Sequence, residues 1–130
     1  HLVNIASASA IYGQPEIAVY SATKFFVAGL TEALELEWEN DDIRAVAIWP
    51  PWAKTALAAN DAKSTKTLGV RITPEQVADK VWESVHPTTQ DKLLHRTSYT
   101  VGLQTTVLAN AAKFVPNFVS RTINKYLAQS

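Results

Sequence analysis

The chain has 130 residues, with 12 Lys and Arg against 12 Asp and Glu, so it carries no net charge and no basic excess to hold nucleic acid. It contains no Cys, which rules out disulfides and thiolate metal sites within these residues, and its His at 1, 86 and 95 lack metal-ligand spacing. With 47% hydrophobic and 18% charged residues it is ordinary globular material, and it has no run of about eighteen apolar residues that would span a membrane.

Residues 2–6, Leu2-Val3-Asn4-Ile5-Ala6, form an apolar run expected to be a buried parallel strand, with Ser7 at its C-terminal end. A loop with Gly13 and Pro15 follows, and a long helix is predicted from about Ile17 to near Asn40. Val27, Leu30, Leu34 and Trp38 make its apolar stripe, which Phe25, Phe26 and Leu36 widen beyond one face. A helix apolar on two sides is expected to be buried on both, against the sheet and either a partner subunit or a second layer of the same subunit. Glu32, Glu35, Glu37, Glu39, Asp41 and Asp42 flank the stripe and are expected to be a solvated face.

Residues 44–49 are predicted as the next buried strand, ended by Pro50 and Pro51. Residues 56–72 show no strong periodicity and are expected to be either a plain surface loop or a lid. Thr73-Pro74-Glu75-Gln76 is a helix-start signature, Thr at the N-cap, Pro first and Gln third. That helix should turn Val77, Val81, Trp82 and Val85 inward and stop before Pro87, with a short strand at residues 92–95. Residues 99–128 are predicted as two helical stretches broken near Pro116.

The chemistry concentrates in Ser7, Tyr20 and Lys24. Tyr and Lys four apart on a helix project from one face, a turn apart. An ammonium beside a phenol favours the phenolate, which makes Tyr20 a proton donor and acceptor for a carbonyl/alcohol pair. A serine hydroxyl at a strand end could hold the same substrate oxygen, since ligands of open parallel sheets bind outside those ends.

The run from Asn4 to Ser7, the loop at 13–15, Tyr20-x-x-x-Lys24, the strand at 44–49 and Pro50-Pro51-Trp52-Ala53-Lys54-Thr55 together resemble the catalytic, C-terminal half of a single-domain short-chain dehydrogenase/reductase. The likeness is close to about residue 57, fair to about residue 86 and poor beyond. It implies an α/β fold, a Rossmann-like doubly wound parallel sheet, of which this is the second half. Because the chain starts at His1 inside a strand, has no Met and lacks the family's Gly-x-x-x-Gly-x-Gly fingerprint, it is expected to be a fragment that folds poorly alone.

By that resemblance Ser7 orients the carbonyl, Tyr20 is the acid/base, and Lys24 tunes Tyr20 and bonds the nicotinamide ribose of NAD or NADP. Pro50, Pro51, Trp52, Ala53 and Thr55 are expected to pass beside the nicotinamide, with Pro51 standing where the family usually has Gly. Gln14, Ile17 and Trp52, with Leu57 nearby, are expected to line a mainly apolar substrate pocket. The implied protein is a cytoplasmic oxidoreductase interconverting a hydroxyl and a carbonyl, a homo-oligomer through the Tyr20–Lys24 helix. The alternatives are a nucleotide-sugar epimerase of the extended relatives and a non-catalytic fragment or scaffold. The tail, with Phe114, Phe118, Lys113, Arg121 and Lys125, fits an anionic membrane surface, a substrate cleft or a neighbouring subunit.

Overall fold

The computed structural model describes residues 1–51, 72–116, 118, 119, 121, 122 and 125. Residues 56–71 of the expected lid, together with Trp52, Ala53 and Thr55, lie outside the described residues.

Three parallel strands, β1 (Leu2–Ile5), β2 (Ala45–Trp49) and β3 (Ser98–Thr100), pair in chain order. Asn4 stands opposite Ala47 and Ala47 opposite Ser98; Ile5, Ile48 and Tyr99 form the adjacent row. Parallel neighbours need crossover connections. Helix α1 (Ala18–Glu37) supplies the first, and α2 (Pro74–Val85) and α3 (Thr89–Leu93) lie in the second. Helix α4 (Leu103–Ala112) follows β3.

Alternation of side chains gives the sheet two different faces. On one, Val46, Ile48 and Tyr99 pack with Ile72 and Val101, and Val3 of β1 and Val77 and Val81 of α2 lean on them. On the other, small residues at Ala45 and Ala47 let α1 lie close, and Asn4 bonds to Thr31 of that helix. Burial of β2 on both faces explains why its sequence is a continuous apolar run.

At the strands' N-terminal end, Arg44 donates to the carbonyls of Ser84 (3.0 Å) and Arg96 (2.8 Å). Arg96 stacks on the Tyr99 ring at 4.1 Å and bonds Asp91 at 3.0 Å and Glu83 at 3.3 Å. This knot fastens the ends of α2 and α3 to β2 and β3, at the opposite end of the sheet from Ser7.

Several expectations are corrected. Residues 89–93 are helical, not the start of a strand at 92–95, because Thr88 and Asp91 cap each other reciprocally. The third strand comes later, at Ser98–Thr100, where helix was expected to begin. Trp82 does not point inward: it is 68% exposed and stacks on His86, one turn on. Glu35 is not simply solvated, since its carboxylate accepts the Ala45 amide at 2.6 Å. Among the described residues nothing within the subunit covers Phe25, Phe26, Leu30 and Leu36 of α1, which are exposed, and its fully buried positions are polar ones, Ser21 and Thr31.

Candidate active site

β1 runs into a tight turn rather than continuing. Ser7 caps a single 3-10 turn, Ala8–Ala10, and its Oγ accepts the Ser9 amide at 3.2 Å. Nothing among the described residues accepts the Ser7 hydroxyl proton. The Ala6 amide bonds to the Ile48 carbonyl and the Ala8 amide to the Pro50 carbonyl, both at 2.9 Å. Ser7 is thus clamped between two bonds to β2 and its exit, with Pro50 beside it.

The loop to α1 is tied down next. The buried Ser21 hydroxyl accepts the Gln14 amide at 3.1 Å, fixing the loop against the helix's first turn. Glu16 turns the chain with φ of 69°, in the left-handed region. Gln14 is itself buried, and its Oε1 has no hydrogen-bond partner among the described residues. Burial pushes the Tyr12 phenol up, an effect the Gln14 hydrogen bond only partly opposes.

Tyr20 and Lys24 lie one turn apart on α1. The Lys24 ammonium donates to the Ile5 carbonyl at 2.8 Å and sits 5.7 Å from the Tyr20 ring centroid, within cation–π range. Ile5 is two residues before Ser7, so this bond brings the helical pair to the strand end that carries the serine. Partial burial draws the Lys24 pKa below its ordinary value, because water no longer fully solvates the ammonium.

Of the residues expected here, Ser7, Lys24 and Pro50 converge through hydrogen bonds on the C-terminal ends of β1 and β2, and Tyr20 joins them through Lys24. Ile17 is half-buried at the start of α1, and Pro51 follows Pro50 out of β2. Ser21, Asn4 and Thr31 were not expected to take part, and no local pattern marks them. A separate cleft of about 280 Å³ lies between α1 and the β2–β3 face, lined by Phe25, Gly29, Glu32, Trp49 and Ser98 among others. None of Ser7, Tyr20 or Lys24 lines it. Among the described residues no group of His, Asp and Glu could hold a metal, and no helix is long and apolar enough to cross a membrane.

A parallel sheet with helices on both faces and polar groups gathered at its strand C-terminal ends is a Rossmann-like α/β domain. The sequence profile of the family described as short chain dehydrogenase matches residues 1–66, just over half of this chain. The chain belongs to that family. It is 41% identical over 58 residues to a 3alpha-hydroxysteroid dehydrogenase of Mediterraneibacter gnavus, covering 45% of this chain and 23% of that protein. It is 37% identical over 84 residues to a cyclohexanol dehydrogenase of an Acinetobacter species, covering 62% and 34%. Among solved structures it resembles 4-hydroxyisoleucine dehydrogenase complexed with NADH and succinate, at 28% identity and a TM-score of 0.58, covering 76% of this chain and 42% of that one. A short chain dehydrogenase from Burkholderia cenocepacia in complex with NADP shares the fold at a TM-score of 0.67 with 18% identity, covering 83% and 41%. The chain therefore spans well under half the length of these relatives.

Proposed function

We propose that the whole protein is an NAD(P)-dependent oxidoreductase that interconverts a secondary alcohol and a ketone, with Tyr20 as acid/base. The observation that carries this reading is the Lys24 ammonium held between the Ile5 carbonyl and the Tyr20 ring, at the strand end that presents Ser7.

The residues fit a nicotinamide nucleotide. Lys24 and Tyr20 offer donors suited to ribose hydroxyls, and the Ala8–Pro50 bond sets the segment entering Pro51 alongside them. Pro51 itself has no amide to donate, so any backbone donor to the carboxamide comes from a residue after it. When bound, the nicotinamide supplies or accepts the hydride. In reduction, Tyr20 gives its phenolic proton to the substrate oxygen, and in oxidation takes it back. Lys24, as a cation next to the ring, stabilises the phenolate left by that transfer. Ser7 turns its hydroxyl proton to the same oxygen as negative charge builds on it, a contribution of about 3 kcal/mol for a well-aimed donor.

A cyclic or polycyclic secondary alcohol is the substrate class we favour, because Gln14, Ile17 and Trp52 would supply a mainly apolar wall. The names of the cyclohexanol and hydroxysteroid relatives point the same way. The exposed Phe25, Phe26 and Leu36 support contact of α1 with a second copy. The test is to incubate the whole protein with NAD or NADP and either cyclohexanol or a 3α-hydroxysteroid, following reduced nicotinamide by absorbance. Turnover of either alcohol supports the reading; cofactor binding without turnover of any secondary alcohol or ketone favours a scaffold instead.

A further inference from the structure

We propose that Thr31, with Asn4, is a positioning residue for proton transfer: it fixes where α1 sits along β1, and so where Tyr20 and Lys24 stand relative to Ser7. The inference rests on the functional reading above. It begins from an oddity of the helix. Thr31 is 1% exposed and Ser21 is 3% exposed, while the large apolar residues of α1 are half-buried or exposed. The side of α1 that meets the sheet is fastened by hydrogen bonds more than by oily packing.

Three of those bonds lie in one line. Lys24 reaches the Ile5 carbonyl at 2.8 Å, Thr31 Oγ1 accepts from Asn4 Nδ2 at 2.9 Å, and Glu35 accepts the Ala45 amide at 2.6 Å. Seven residues carry a helix through about 700°, so Thr31 falls within about 20° of Lys24 and about 10 Å further along. Two attachments on one side, two turns apart, define both the rotation and the slide of the helix. They are unequal in stiffness. Lys24 hangs on four flexible carbons, whereas Thr31 is β-branched and its hydroxyl also donates to the Val27 carbonyl at 2.7 Å. Asn4 is in the middle of β1, opposite Ala47 and three residues before Ser7. The short, stiff link sets the geometry, and the lysine adapts to it.

A pair that only stabilised the fold would change melting temperature and leave catalysis alone, which makes the two roles separable. Thr31→Val keeps the shape, removes the hydroxyl and strands the Asn4 amide. Asn4→Ala is gentler, since the Thr31 hydroxyl keeps its bond to Val27, and serves if the valine variant does not fold. Val81→Ala, on the opposite face of the sheet, is the control of comparable destabilisation. With the whole protein, its cofactor and the alcohol it turns over, we expect Thr31→Val and Asn4→Ala each to lower kcat about 10- to 100-fold with KM within about twofold. Thr31→Ser should restore most of the rate, and Val81→Ala should keep it. An unchanged kcat in Asn4→Ala, or an equal loss in Val81→Ala, would overturn the inference while leaving the function intact. A wild-type protein that oxidises no alcohol would instead overturn the functional reading, and this inference with it.

Discussion

The Lys24 ammonium bonds to the carbonyl of Ile5 at 2.8 Å, joining the second turn of α1 to the last residue of β1. The contact makes one side chain both a structural tie and a cation beside the Tyr20 ring. It predicts that the residue cannot be replaced by charge alone.

Lys24→Met removes the tie and the cation together, and should lower kcat/KM of the whole protein about 100-fold or more. Lys24→Arg keeps the charge but replaces a compact ammonium with a planar fork, and should recover only part of the loss. Steady-state kinetics of the two variants check this. Full activity in Lys24→Met would remove the lysine from the mechanism.

Acid sensitivity should trace to the other end of the sheet. Bonds from Thr88 and then Arg96 hold the Asp91 carboxyl down to about 2, from an ordinary 3.8. A depressed carboxylate pKa adds stability that is complete above the ordinary value and drains away as pH falls toward 2. Asp91→Asn should therefore flatten the fall of Tm between about pH 4 and pH 2, and lower Tm at neutral pH by uncapping α3. Thermal melts across that range test the claim; parallel curves for wild type and variant would contradict it.

Gly102 has φ of +80°, and a Cβ built there would stand 3.0 Å from Cδ1 of the buried Ile72. Gly102→Ala should cost about 1–2 kcal/mol in backbone strain, with Ile72 shifting to accommodate the methyl. Denaturant unfolding of the whole protein measures it. A neutral or stabilising result would mean that the turn into α4 is not strained as described.

Much of this architecture is legible in the sequence where patterns are long. The apolar run before Ser7, the long helix of Tyr20 and the run at 44–49 appear as β1, α1 and β2 within a few residues. The Thr73–Gln76 signature is present as a cap, with Gln76 Oε1 accepting the Thr73 amide at 2.9 Å. Short elements escape such reading. Ser98-Tyr99-Thr100 is too brief for periodicity to declare a strand, and it is defined by pairing with β2 and by the complete burial of Tyr99. Thr88 and Asp91 carried a start signal for α3, but the apolar pair Leu93-Leu94 masked it; both side chains are exposed.

The site divides along the same line. Ser7, Tyr20 and Lys24 are legible because their residue types and spacing carry chemistry. Thr31, Ser21 and Asn4 are not, since a small polar residue inside an apolar helix or strand announces nothing until its partner is known. The Asn4–Thr31 contact joins residues 27 apart in the chain, which local pattern does not encode.

The central claim is that the Tyr20 hydroxyl moves the substrate proton, and Tyr20→Phe in the whole protein tests it most directly. The ring remains for Lys24 to stack on, so reduced cofactor should still bind with near wild-type affinity while alcohol oxidation falls about 100-fold or more. Substantial turnover by the phenylalanine variant, with the cofactor bound, would contradict the account.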